Sequence, residues 1–416
     1  MKKLMIFTLF FMGFSMYSTA QNPLQYSNTY DKHSINSFES PKQDTVDYDG
    51  FRVRVGGAFA MQFQGLDHSN TNEGAPLVAL GSNFNLPTAN LNLDVQLADG
   101  VKLHMKTYLS SRHHPEAWVK GGHMQIDKLD FIQEGFLSSL MDNVTLKIGL
   151  DEINYGDAHF RRSDNADVIR NPFVGNYIID AFTTEAFGEV YYRSNGFIAM
   201  VGLSNGKLNQ SVVNSSDDVS NTPSIYAKLG YDQQINDDLR FRLTGSFYTN
   251  SGDQSIFLYN GDRAGSRYYQ VMDAQGTDGD DWSGRLKFTV PEVTSIMINP
   301  FVRYGGLEFF GLFELIDAKT FGGTDMTYTH MGAELLYRFG TDDRFYLGGR
   351  YNTVVGDDAA ENRDITRLNL GGGWFMTDNI LAKLEYVDQK YEGEGWTGRF
   401  AGGEFNGIVL EAVISF

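Results

Sequence analysis

The sequence predicts an all-β fold, a transmembrane antiparallel β-barrel of about 16 strands, and three observations carry that expectation. The last strand-like run alternates strictly: Ile408, Leu410, Ala412, Ile414 and Phe416 take every second position and end on an aromatic residue. Composition points the same way, since 45 Gly, 22 Tyr and 31 Phe against 9 Pro suit tight turns and aromatic girdles better than helix packing. Thirdly, short turns alternate with long polar segments along the chain. A strand with one face in lipid must be apolar at every second position, and only closure satisfies its backbone there.

At the N-terminus, Lys2 and Lys3 precede an apolar run from Leu4 to Tyr17, and Ser18-Thr19-Ala20 offers a small-residue cleavage site, so residues 1–20 read as a removable signal peptide. The run is shorter than the roughly 20 residues a spanning helix needs, and no later segment reaches that length. Without cysteine the chain has neither disulfides nor a lipid-attachment site. A net charge of −18 argues against nucleic acid and against simple adhesion to anionic lipid. Residues 21–50 are polar with Pro23 and Pro41 and no sustained period, which predicts a mobile periplasmic lead or one short element. The barrel domain is expected over 51–416.

Its first strand is clear. Phe51, Val53, Val55, Phe59, Met61 and Phe63 share one face; Arg52, Arg54, Gln62 and Gln64 share the other. A hairpin follows, with Leu91, Leu93, Val95 and Leu97 before the Asp99-Gly100 turn and Val101, Leu103 and Met105 after it, opposite Lys102, His104 and Lys106. The same reading gives strands near 51–64, 85–98, 101–111, 122–134, 143–151, 183–193, 196–204, 223–235, 238–249, 281–291, 295–317, 327–339, 343–354, 366–377, 380–390 and 405–416. The count is 16 with 295–317 as one long strand. Within it the apolar phase moves from Ile296, Ile298, Val302 and Tyr304 to Leu307, Phe309, Phe313 and Leu315, read as a β-bulge at Gly305-Gly306.

The face opposite the apolar stripe carries Arg52, Arg54, Lys102, Lys106, Lys147, Arg193, Lys228, Arg240, Arg242, Arg285, Lys287, Arg303, Arg338, Arg350, Arg367 and Lys383. Its acids are Asp94, Glu189, Glu308, Glu314, Glu334, Glu385 and Glu411. Sixteen of 34 basic residues but seven of 52 acids therefore face the lumen, and a positive wall favours anions. The competing reading leaves residues such as Arg52, Arg240 and Arg338 merely bordering the rim.

The loop over 152–182 is too apolar in its second half to lie free in water. Phe173, Val174, Tyr177, Ile178 and Ile179 need a surface, and the barrel interior is the nearest. An inward course would place Arg161, Arg162, Arg170 and His159 beside Asp157, Asp164 and Asp167, across from the basic wall. The expected constriction and pore lining thus combine Asp157, His159, Arg161, Arg162, Asp164 and Arg170 with Arg54, Lys102, Lys106, Lys147, Arg242, Lys287, Arg303 and Arg350. A loop that caps the barrel or packs on a neighbouring subunit is the alternative.

The signal peptide, the Gly156-Asp-Ala-His-Phe-Arg-Arg162 run with Asn171-Pro-Phe173, the Asn299-to-Phe310 segment and terminal Phe416 resemble the phosphate-selective porin O/P-like family over about residues 51–416. That resemblance implies an inward-folded third outer loop, here 152–182, and a homotrimer. Phosphate-selective members line their constriction with an arginine ladder and a lysine cluster, and those positions do not align residue by residue here. The alternating C-terminus ending on Phe416 is similar to the signal read by the barrel assembly machinery.

The function so predicted is an outer-membrane porin, a water-filled channel for passive diffusion of small hydrophilic solutes or anions, in contact with outer-membrane lipid and lipopolysaccharide. The alternative is a non-conducting barrel that displays loops for adhesion or partner docking. No cofactor is expected, with Ca²⁺ at the acidic loops (Asp217-Asp218, Asp278 to Asp281, Asp357-Asp358 with Glu361) weighed against plain solvated charge. None of the eight histidines sits in a G-x-S-x-G or H-E-x-x-H setting, so no enzyme is expected. His113-His114 reads as a polar rim pair.

Overall fold

Backbone groups in lipid must pair within the protein, and each strand here pairs with both neighbours until the first meets the last. The computed structural model describes residues 23–43, 46–109, 117–163, 167–208, 212, 221–261, 268–276, 282–358 and 361–416. The signal segment, Asp164, His113-His114, Asp217-Asp218 and Asp278 to Asp281 lie outside them.

The long strands are β1 (Arg52–Ser69), β2 (Asn83–Ala98), β3 (Val101–Leu109), β4 (Ala117–Ile126), β5 (Val144–Glu152), β6 (Thr184–Ser194), β7 (Phe197–Ser204) and β8 (Ser224–Gln234). They continue as β9 (Leu239–Ile256), β10 (Val290–Tyr304), β11 (Leu307–Lys319), β12 (Asp325–Phe339), β13 (Phe345–Asp358), β14 (Asp364–Thr377), β15 (Ile380–Glu392) and β16 (Glu404–Ser415). Each pairs antiparallel with the next, and β1 pairs with β16 in a register that sets Phe59 opposite Ile414 and Phe63 opposite Leu410. The seam continues past the last strand: Gly57 and Phe416 exchange two backbone hydrogen bonds of 2.8 and 3.0 Å. The sheet is a closed 16-strand barrel; the two-residue Glu361–Asn362 strand only extends the link between β13 and β14.

Alternation sets which way each residue faces. Val53, Val55, Phe59 and Met61 are exposed on the outside, as are Ile408, Leu410, Ile414 and Phe416, while Arg54, Gln62, Gln64 and Glu411 are buried inside. Near one rim, Tyr337, Phe339, Phe345 and Trp374 form an aromatic ladder with ring centroids 6.0, 5.7 and 6.1 Å apart, the girdle expected where a barrel meets an interface.

Short links gather at that end. Asn195 and Gly196 join β6 to β7 with φ of 51° and 83°, the paired positive values that a tight hairpin matched to strand twist requires. The link between β4 and β5 is longer and carries a single helical turn, α1 (Ser138–Met141). Long connections gather at the other end.

Three strand assignments change, two of them in the strand count. Gly305-Gly306 is a hairpin turn between β10 and β11, with Tyr304 opposite Leu307, rather than a bulge in one strand. Both events move the apolar phase by one residue, because a two-residue turn puts the facing partners at i and i+3. Residues 281–291 form no full barrel strand: Trp282–Ser283 pairs only with Tyr268–Tyr269 inside the loop, and β10 begins at Val290. The two errors cancel in the count. The strand expected at 122–134 instead runs from Ala117 to Ile126.

The lead, expected as a mobile segment or one short element, holds a three-residue 3-10 turn at Lys32–Ser34. Described over 23–43 and 46–50, it runs inside the short-turn mouth, with Leu24, Phe38, Ser34 and Asn36 buried. Tyr30 donates to Asp94 at 2.7 Å, Lys42 donates to the Val144 carbonyl at 2.8 Å, and Lys32 N donates to the Asp378 carbonyl at 2.8 Å. A polar segment without period packs stably here because the wall it meets is itself polar.

Candidate functional site: a charged lumen narrowed by two loops

The third long loop, residues 153–183 between β5 and β6, folds into the lumen and crosses to the far wall. Its apolar half buries Val168, Phe173, Val174, Ile178 and Ile179. Its polar backbone is satisfied by wall side chains. Val174 N donates to Glu385 at 2.8 Å and Ile178 N to Asn352 at 2.6 Å, while Arg350, Arg367 and Lys383 donate to the carbonyls of Gly175, Asn176 and Val168. Inward acids and bases of β13 to β15 thus serve as sockets for a loop. The described parts of the fifth long loop between β9 and β10, residues 257–261, 268–276 and 282–289, pack beside it, with Leu286 N donating to the Ile178 carbonyl and Tyr268 Oη to Glu385.

Ion pairs fix the loop's first half. Arg161 donates to Glu308 at 2.9 Å and Glu334 at 3.0 Å, and Arg350 donates to Glu334 at 2.7 Å. Asp157 receives Lys228 at 2.9 Å, Arg242 at 2.8 Å and Thr244 at 2.7 Å. Burial pushes the Asp157 carboxyl up, but Arg242 and Lys228 outweigh it and hold it down to about 2. Arg162 pairs with Asp180 inside the loop at 2.5 Å.

Space remains on the side of β1 to β6. A cavity of about 150 Å³ is lined by Arg54, Lys102, Lys106, Lys147, His159 and Arg170, together with Asp94, His104, His123, Asp151, Glu152, Asp167 and Glu189. Most of these are paired: Arg54 with Asp94 at 2.8 Å, His104 with Asp94 at 2.6 Å, His123 with Asp151 at 2.8 Å, and Arg170 with Asp167 at 3.2 Å. Lys102 donates to the Tyr26 carbonyl and to Ser27 Oγ. Two cations differ. Lys106 comes no closer than 4.0 Å to Glu152, and Lys147 lies 5.2 Å over the Tyr191 ring; among the described residues neither ammonium donates a hydrogen bond to a side chain or carbonyl.

The expected site residues therefore separate. Arg54, Lys102, Lys106, Lys147, His159 and Arg170 meet at one cavity. Arg161, Arg162, Asp157, Arg242 and Arg350 are buried in pairs that anchor loops, so the basic wall of β9 to β13 is largely neutralised. Arg303 sits at the short-turn rim, paired with Asp343. Lys287 was expected on the wall but is exposed on the fifth loop, because 281–291 is not a barrel strand. The alternation that found Lys102 and Lys106 also placed His104 inside, without marking it as part of the site. Glu39, which the lead brings to Arg242, carried no sequence signal.

No family model matches the chain, and no curated protein matches it. Solved structures do. The outer-membrane channel DcaP of Acinetobacter baumannii superposes with a TM-score of 0.57 at 12% identity, covering 89% of this chain and 99% of that one. An anion-selective porin from Comamonas acidovorans gives 0.54 at 12%, covering 88% and 100%, and OmpT, an outer-membrane protein of Vibrio cholerae, gives 0.53 at 11%, covering 89% and 99%. The fold is that of outer-membrane porins. At these identities the likeness is one of architecture.

Proposed function

We propose that this protein is an outer-membrane porin that lets small hydrophilic solutes diffuse through a narrowed lumen, with a preference for anions. The observation that carries the reading is the pair of ammonium groups, Lys106 and Lys147, that face the cavity of about 150 Å³ without a hydrogen-bonded partner among the described residues. Five Arg or Lys side chains and five carboxylates line the cavity, so its formal charge balances, and these two ammonium groups are the cations that keep donors for a solute. Inorganic phosphate and small carboxylates match two such donors, Lys106 on β3 and Lys147 on β5. The sequence resemblance to phosphate-selective porin O/P-like proteins and the anion-selective porin among similar folds agree with this reading. The loop-rich end then faces outward and the lead lies at the periplasmic mouth.

The test is reversal potential under a salt gradient in a planar bilayer. Wild-type protein is expected to show anion preference, and the Lys106→Gln/Lys147→Gln double variant to lose at least half of the measured anion-to-cation permeability ratio. Cation preference in the wild type would overturn the reading. The filling of the lumen by a lead and two loops favours the second reading, a barrel that conducts nothing; folded, heat-modifiable protein without conductance under any condition would establish it.

A further inference from the structure

The lead places one carboxylate against the far wall. Glu39 lies against Arg242, which donates Nη1 to its Oε2 at 2.8 Å and Nη2 to its Oε1 at 3.1 Å, and against Lys228 Nζ at 3.4 Å. The Arg242 and Lys228 side chains are fully buried and that of Glu39 nearly so. Asp157 of the third loop holds the other edge of the same two cations. Phe38 beside it is gripped edge-on by Phe301 and Phe160, with the Arg242 guanidinium 4.1 Å from its ring centroid. Next to Glu39 lies a cavity of about 520 Å³ that opens among Lys42, Arg193, Arg240, Arg242 and Asp232.

Arg242 and Lys228 would bind any small carboxylate in the manner they bind Glu39, since the two-pronged guanidinium geometry belongs to the carboxylate and not to the chain that carries it. Removing Glu39 also leaves Asp157 in place, so the cations stay partly paired and the third loop keeps its anchor. The neighbouring cavity gives a solute room to approach. We infer that Arg242 and Lys228 form a carboxylate-binding site that the lead occupies with Glu39, making residues 23–50 a tethered stopper that small carboxylate solutes displace from the short-turn mouth. This rests on the porin reading for its consequence, release of a passage, but not for the binding itself.

The chain has no cysteine, so a single reporter can be placed on the lead. Ser34 is 1% exposed, and the Ser34→Cys variant of the full chain should react slowly with a maleimide. Succinate is expected to accelerate labelling at least tenfold over potassium chloride of equal ionic strength. Glu39→Gln in the same background should label at least tenfold faster without succinate, keep its heat-modifiable migration, and raise single-channel conductance. Equal labelling rates in succinate and chloride, together with an unchanged rate in Glu39→Gln, would overturn the inference. If Glu39→Gln does not fold, the succinate comparison on the parent decides alone, and equal rates there overturn the proposal. Faster labelling without any conductance in folded protein would retain the carboxylate site and reject the porin reading instead.

Discussion

Arg161 shows what a buried cation does in this lumen. It bridges Glu308 and Glu334, 2% exposed itself, and stacks 5.0 Å from the Phe310 ring centroid. Such pairs add little net stability over an apolar equivalent, yet removing one partner strands the other charge. Arg161→Ala should therefore cost about 3–5 kcal/mol, read as a lower temperature for the heat-modifiable transition; a variant as stable as the parent would show that water reaches the two glutamates. Acid reaches the same kind of contact through Glu39 and Asp157. Burial raises the Glu39 carboxyl, but Arg242 and Lys228 bring it well below its ordinary range, and Asp157 goes down to about 2. With folded values below the unfolded value of about 4, their contribution is present above that pH and lost as pH falls towards the folded values. Asp167, held up by burial, works in the opposite sense. The heat-modifiable transition is expected to stay level from about pH 7 to 5 and to fall between about pH 4 and 2; a fall centred above pH 5 would point to other groups.

At the scale of elements, the third loop needs a wall shaped to receive it. Gly332 on β12 is such a place: a Cβ there would run into the Tyr177 ring, whose hydroxyl donates to Glu334 at 2.8 Å. Gly332→Val should displace that ring and lose the bond at a cost of about 1–3 kcal/mol. The barrel would persist, while trypsin should gain access to the loop at Arg161, Arg162 or Arg170. Uncut loop in the variant would mean that Tyr177 is not needed to hold it. The hairpin at Gly305-Gly306 carries a different lesson, since Gly305 has φ of 53° and suits a reversal. A bulge and a two-residue turn leave the same mark on an alternating pattern, so the pattern alone did not separate them. Registry did, by setting Arg303 opposite Glu308.

At the scale of the whole molecule, the barrel is an apolar exterior around a polar interior, and its two faces should respond to the same change differently. Leu410 lies mid-strand on the outside, between Phe63 of β1 and Leu384 of β15. Leu410→Arg should destabilise the protein in bilayers by about 2–4 kcal/mol, measured by urea unfolding in vesicles, and by much less in detergent. Equal effects in both would mean that the outer face does not meet hydrocarbon. The strands, the direction of their side chains and the sign of most inward residues were legible in the sequence because alternation is a local property with a period of two. What fills the interior was not. Arg161 meets Glu308 and Glu334, 147 and 173 residues away, and Glu39 meets Arg242 across 203. No local pattern records such pairings. The sequence by itself determined that the chain closes into a barrel with charge inside and apolar residues outside, since lipid and backbone pairing leave no other arrangement. Only the tertiary structure decided which cations are neutralised, which two face the cavity without a hydrogen-bonded partner, and that the lead lies within the mouth, because each depends on segments that meet only once the barrel has closed.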